Sequence, residues 1–202
     1  MNRPKFKIEP LALPFLFFLF FSNPAKDVLL LFSAALWHEC GHLLAGFCLR
    51  NPPKSVSLCP FGMKIEFSDP LQHYKNDFFL ALCGPFFNFL AAAALFFVLR
   101  AGPSKSLFLL FYSHLFLCLF NLLPLFSFDG GKALFALLAM LSDADRAACL
   151  CRAVGIVCFF LLFVGGVWLW FYPAKNASLL FLLLVLFPEE SGAKNKATNF
   201  HS

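Results

Sequence analysis

Charge is scarce in this chain: Asp, Glu, Lys and Arg make up 13% of its 202 residues, against 60% hydrophobic residues and 31 Phe. A soluble domain of this length cannot hide so much apolar surface, which excludes a water-soluble globular protein and points to a polytopic membrane protein of one domain, 1–202. The net charge of +5 comes from scattered loop lysines and arginines, so no nucleic-acid-binding surface is expected. No C-x-x-C pair occurs among the eight Cys, and Cys83, Cys118 and Cys158 sit inside apolar runs, so packing is expected of them rather than disulfides or a metal cluster. The first apolar run lacks a small-x-small cleavage site and is interrupted or followed by Pro14, Asn23 and Pro24, unlike a cleaved signal peptide. Histidine is also rare, with five in all.

What is present is a series of apolar stretches. Six membrane helices are expected at about 8–22, 27–49, 77–99, 105–123, 152–172 and 177–188, the first bent or thinned at Pro14. The polar stretch 50–76 alternates at period two around Val56-Ser57-Leu58 and Met63-Lys64-Ile65-Glu66-Phe67, with Cys59-Pro60-Phe61-Gly62 between, a strand–turn–strand pattern. The connector 124–150 holds an apolar helical piece at 132–141. The expected fold is therefore all-α and polytopic, with about six spans and a small β-hairpin or strand segment between the second and third.

Orientation follows from the basic residues. With the N-terminus inside, the inner segments hold Arg3, Lys5, Lys7, Arg50, Lys54, Lys64, Lys75, Lys132, Arg146, Arg152, Lys194 and Lys196, and the outer ones only Lys26, Arg100, Lys105 and Lys175. Both termini are expected to be cytoplasmic.

The stretch 27–49, DVLLLFSAALWHECGHLLAGFCL, organises the rest. It is long enough to cross a bilayer, yet carries His38, Glu39 and His42, and ionisable groups inside a span are costly and mark sites. Four residues apart on a helix, His38 and His42 share a face and suit one metal ion, while Glu39 lies about 100° round, placed to reach a water at the metal without ligating it. This is the H-E-x-x-H pattern of zinc hydrolases. At 1.5 Å per residue the two imidazoles lie roughly 12 to 18 Å from the end of the helix near Arg50, within the membrane but toward the cytoplasm.

A catalytic zinc requires a third protein ligand. Asp129, in Asn121-Leu-Leu-Pro-Leu-Phe-Ser-Phe-Asp129-Gly-Gly131, is the best candidate, because Pro124 breaks the fourth span and the glycine pair allows a tight backbone path. Read alone, Asp129 is more readily a solvated cap at the start of helix 132–141 than a ligand. Gly84-Pro85 reads as a second helix break, and Asn88, one turn on, offers an amide for a substrate carbonyl or oxyanion, or for an interhelical hydrogen bond. His114 is expected to face the bundle interior, as packing or behind a ligand, and His73 to lie on a surface loop.

His38-Glu-Cys-Gly-His42, Cys83-Gly84-Pro85 with Asn88, and Asn121-Leu-Leu-Pro124 leading to Phe128-Asp129-Gly-Gly131 together resemble the three signatures of the site-2 proteases, the intramembrane zinc metalloproteases. Their order and spacing match over about 10–140. The short chain without PDZ or CBS modules, the Leu58-Cys-Pro-Phe-Gly62 turn and Lys132 after the glycine pair resemble the stage IV sporulation FB-type branch of endospore-forming bacteria. Phe128, where Leu is commoner in the family, and Cys40 within the motif depart from the pattern without touching a ligand.

The resemblance implies one Zn2+ held by His38, His42 and Asp129, with Glu39 as catalytic base. It implies a substrate channel shaped by Asn88, Asn121 and Pro124, beside the Gly84-Pro85 break. The implied setting is a bacterial cell membrane, with a membrane-associated protein substrate, the proform of a late sporulation sigma factor, and inhibitory membrane partners. The competing expectations are a catalytically silent membrane scaffold of the same fold and a metal transporter. Glu39 argues against the first, and the single compact His/Glu cluster against the second.

Overall fold

The computed structural model describes residues 5–8, 10, 12–59, 62–67, 73–171 and 183. In chain order they form β1 (Lys5–Ile8), α1 (Ala12–Ser22), α2 (Ala25–Cys48), β2 (Pro53–Cys59), β3 (Gly62–Phe67), α3 (Tyr74–Ala101), α4 (Lys105–Asn121), α5 (Asp129–Leu141) and α6 (Ala144–Phe171). The chain divides into two compact units, one of residues 1–71 and 82–120, the other of residues 72–81 and 121–202.

Among the described residues three helices are long and apolar enough to cross a membrane: α2 with 24 residues, and α3 and α6 with 28 each. At 1.5 Å per residue these run about 36 to 42 Å, more than a hydrocarbon core of about 30 Å. Their outward side chains are large and apolar, among them Leu36, Phe47, Phe97, Phe160 and Leu161, the surface of a protein solvated by lipid. The chain is an integral membrane protein.

Of the six spans expected, three are met among the described residues. The stretch 8–22 yields a helix of only 11 residues, because Lys5–Ile8 is drawn into a sheet and α1 starts at Ala12. Pro14 falls in its first turn, where the missing N–H costs no helical hydrogen bond. The stretch 105–123 yields α4, 17 residues long and short of a perpendicular crossing. The helix placed at 152–172 begins at Ala144, since the polar Asp145 and Arg146 form its first turn rather than a connector. The stretch 177–188 lies almost wholly outside the described residues.

In the first unit, β2 is the middle strand of a three-stranded sheet ordered β1-β2-β3. It pairs in parallel with β1 (Phe6 opposite Val56, Ile8 opposite Leu58) and antiparallel with β3 (Val56 opposite Ile65, Leu58 opposite Met63). The buried positions of β2 are Ser55 and Ser57, while Val56 and Leu58 stay partly exposed, the reverse of a sheet folded in water. Helix α2 ends in a Schellman motif: Asn51 N–H donates to the Gly46 carbonyl and Arg50 N–H to that of Phe47. Arg50 takes the left-handed conformation (φ 56°) that such a motif usually gives to glycine. Gly46 lets the Phe67 ring of β3 rest on α2, since a Cβ there would lie 3.1 Å from the ring Cδ1.

Helix α3 continues through Pro85, which is buried inside it, so Gly84-Pro85 does not break the span. A proline lacks the N–H that would bond four residues back, and the preceding glycine makes room for the helix beside it. Gly41 of α2 faces this segment at close range: a Cβ on it would lie 2.5 Å from the Cys83 carbonyl oxygen. Trp37 Nε1–H donates to the Phe87 carbonyl at 2.9 Å, closing the same helix pair one turn on.

In the second unit, α5 and α6 form a helical hairpin turning at Ser142–Asp143, with small residues inside: Ala133, Ala136 and Ala139 on α5, Ala147 and Cys151 on α6. Phe135 of α5 meets the ring of Tyr74 edge-on at 6.1 Å and that of Phe126 at 6.5 Å.

Candidate metal centre

His38 and His42 lie on the buried stripe of α2 with Ala34, Gly41 and Ala45, the i, i+4 spacing that puts side chains on one face. Their exposures are 5% and 9%, and their Nε2 atoms stand 3.2 Å apart. Two imidazole nitrogens bound to one tetrahedral zinc at about 2.0–2.1 Å would be separated by about 3.3 Å. The pair therefore fits a zinc ion with almost no adjustment. Glu39, between them in sequence, is half-buried on the neighbouring face of the helix.

The pair is walled by α3. Gly84 is the residue against both rings: a Cβ built on it would come within 2.7 Å of His38 Nε2 and nearer still to His42 Nε2. Only a residue without a side chain leaves both donor nitrogens their space. Asn88, four residues along α3, is fully buried and has both ends of its amide engaged. Its Nδ2 is 3.0 Å from His38 Nδ1, and its Oδ1 is 2.9 Å from His114 Nδ1, on α4. His114 is 5% exposed. Four of the residues singled out in the sequence, His38, His42, Asn88 and His114, thus form one connected polar cluster within the first unit, backed by Gly84.

Sequence reasoning left Asn88 open between a substrate contact and an interhelical hydrogen bond, and the structure shows the latter. It placed His114 in the bundle interior, as packing or behind a ligand, without linking either residue to His38. The signal was present in the helical spacing, since Gly84 and Asn88 share a face one turn apart. The fifty-residue separation between His38 and Asn88 hid their contact.

In the second unit, α4 ends at Asn121, three residues ahead of Pro124, as expected of the residues before a proline. Asn121 and Pro124 are both half-buried there. The turn that follows is held by Leu125 N–H on the Leu123 carbonyl and Phe128 N–H on the Leu125 carbonyl. It packs tightly on the start of α5: a Cβ on Gly130 would press on the Leu122 and Leu123 carbonyls, and one on Gly131 on Leu125 and Phe126. This close approach is what the double glycine provides. Asp129 opens α5, and the residue at the N-cap is Phe128, which gives no side-chain cap. Asp129 is 5% exposed, so it is not the solvated cap that the sequence left open. Its Oδ1 accepts from Lys132 Nζ at 2.9 Å, and that ammonium reaches solvent. Ser127 Oγ, two residues before it, is buried without a hydrogen-bond partner among the described residues.

The family model for Peptidase family M50 matches residues 98–164, a segment that includes the Asn121–Asp129 turn. Stage IV sporulation protein FB of Bacillus subtilis (strain 168) is 31% identical over 174 residues, covering 81% of this chain. The chain spans 58% of the length of that relative. In fold, the chain superposes on the site-2 protease from Methanocaldococcus jannaschii with a TM-score of 0.66 at 21% identity, covering 98% of this chain and 93% of that one. The chain is thus similar in sequence to Peptidase family M50 over residues 98–164 and to stage IV sporulation protein FB, and it shares its fold with a site-2 protease.

Proposed function

We propose that the chain is an intramembrane zinc metalloprotease in which His38, His42 and Asp129 hold one zinc ion and Glu39 is the catalytic base. The observation that carries this reading is the 3.2 Å approach of two imidazole nitrogens on a buried face of an apolar helix, with a carboxylate between them in sequence. Asp129 supports it as a buried carboxylate opening a helix whose first turn has no room for side chains. Zinc, when bound, polarises the scissile carbonyl and makes water acidic enough to attack at neutral pH. Glu39 takes the proton from the attacking water as its oxygen bonds to the carbonyl carbon. It then delivers that proton to the amide nitrogen as the C–N bond breaks. Asn121 and Pro124, with the Gly84-Pro85 segment, shape the approach of the substrate.

The catalytic unit is the whole of 1–202, in a bacterial cell membrane, with both termini and the opening of the site on the cytoplasmic side. The substrate, by likeness to the sporulation FB-type branch, is a membrane-associated proform of a sigma factor, and membrane proteins hold the enzyme in check. The test is purified protein in detergent with a candidate substrate. Cleavage should stop on removal of metal by a chelator and return with stoichiometric zinc. Cleavage that persists in metal-stripped protein would end the reading.

Asp129→Ala removes one of the three donors. Its affinity for zinc should fall by at least about 100-fold, beyond the 10–100-fold typical of outer partners of a site, with loss of cleavage. Metal analysis after dialysis at limiting zinc measures this, and full occupancy in the variant takes Asp129 off the ligand list.

A helical substrate has its carbonyls hydrogen-bonded, so it must be extended before attack. A sheet edge offers such a strand its backbone partners. Because β2 is paired on both sides, the edge near α2 that is unpaired among the described residues is that of β3. Proline substitutions along Met63–Phe67 should abolish cleavage at the positions whose N–H points outward, with zinc content unchanged. Uniform tolerance of proline along β3 would rule out strand addition there.

A further inference from the structure

We propose that Asn88 is a positioning residue that sets which nitrogen of His38 carries the proton, and that His114 completes a reversible relay with it. The inference rests on the zinc reading above and deepens it.

The atoms form a continuous line. His114 Nδ1–H donates to Asn88 Oδ1 at 2.9 Å, and Asn88 Nδ2–H donates to His38 Nδ1 at 3.0 Å. A neutral His38 that accepts at Nδ1 must carry its proton on Nε2, and that N–H points at His42 Nε2, 3.2 Å away. With the amide placed this way and His38 neutral, the line runs from His114 to His42. That direction is incompatible with a metal, because a ligating nitrogen must present its lone pair.

For His38 to give Nε2 to zinc, its proton must move to Nδ1, which then needs an acceptor. Asn88 supplies one without moving its backbone. Rotating the carboxamide by half a turn exchanges its oxygen and nitrogen between the same two positions. Oδ1 then receives the His38 Nδ1–H, and Nδ2 now faces His114. His114 must in turn accept at Nδ1 and hold its own proton on Nε2. No group changes charge, and the whole line reverses together. A histidine can donate or accept at Nδ1, whereas an ammonium in its place could only donate. The pairing of an amide with a second imidazole therefore suits both directions, where a fixed carboxylate would suit only the loaded one.

Full-length protein in detergent, with zinc as the sole added ligand and a competing chelator, tests this. Asn88→Leu should weaken zinc binding 10–100-fold, the range seen when the outer partner of a ligating histidine is lost. Asn88→Asp should bind zinc as tightly as wild type or tighter, because a carboxylate accepts the Nδ1–H. Burying a charge has no such benefit for packing, so a residue with only a structural role would make Asn88→Asp the worse variant.

A second measurement needs no variant. In wild-type protein with 15N-labelled histidine, zinc should convert His38 from the Nε2–H to the Nδ1–H form and His114 from Nδ1–H to Nε2–H. Equal weakening by Leu and Asp, unchanged affinity in both, or a His114 that keeps its proton on Nδ1 after loading would each overturn the relay. If wild-type protein binds zinc and His38→Ala does not while any of these holds, the relay alone fails. If wild-type protein binds no zinc, the metal reading fails with it.

Discussion

Glu39→Gln should leave zinc binding intact and stop the proposed cleavage. The amide keeps the length and shape of the carboxylate, so helix α2 and its two imidazoles have no reason to move, and Glu39 is not among the proposed ligands. What disappears is a group able to take a proton from the attacking water and pass it to the leaving amine. Positioned general bases contribute about 10²–10⁴-fold, so cleavage should drop by at least about 100-fold in a timed assay. Zinc stoichiometry should remain that of wild type. The split between metal content and rate is what separates this prediction from simple unfolding. A variant that cleaves at the wild-type rate removes Glu39 from the mechanism, and one that loses zinc makes it a ligand. The same variant decides against the silent-scaffold alternative, since a scaffold would process no substrate in either form.

How far the sequence alone could go depended on the distance over which each feature is encoded. The His38–His42 pair was legible because helical periodicity is local: four residues fix a shared face, and the Nε2 atoms stand 3.2 Å apart. The ending of α4 ahead of Pro124 was legible for the same reason. Strand β1 was not. Lys5 and Lys7 read only as part of a basic inner segment and Ile8 as the start of the first span, and the four residues form a strand because β2, fifty residues on, provides its parallel partner. Pro85 misled in the opposite direction. A proline signals a break when judged by its neighbours, but tertiary packing of α3 against Gly41 and Trp37 keeps the helix running through it. The charges at Asp145 and Arg146 likewise read as a connector and are the first turn of α6. Asp129 was open between cap and ligand, and its burial removes the first of these.

Gly84→Ala should do more damage than the loss of any one ligand, because one methyl bears on two. Its Cβ would sit 2.7 Å from His38 Nε2 and closer to His42 Nε2, distances that neither contact can sustain. The helices have little freedom to part. The Cys83 carbonyl already rests against Gly41, and Trp37 ties the next turn of α3 to α2 through the Phe87 carbonyl. Relief must come from the imidazoles, which turn away from one another and from Asn88. Zinc content should fall below about a tenth of wild type, since two displaced donors lose more than the 10–100-fold typical of one lost supporting contact, and cleavage should fall with it. Gly165→Ala is the matched control, because a Cβ there meets nothing within 4 Å among the described residues. It should retain full zinc and full activity, with a small gain in helix stability of about 0.5–1 kcal/mol. Wild-type zinc content in Gly84→Ala, measured beside that control, would show that α3 can yield after all, and that the glycine serves helix packing rather than the room its two neighbouring nitrogens require.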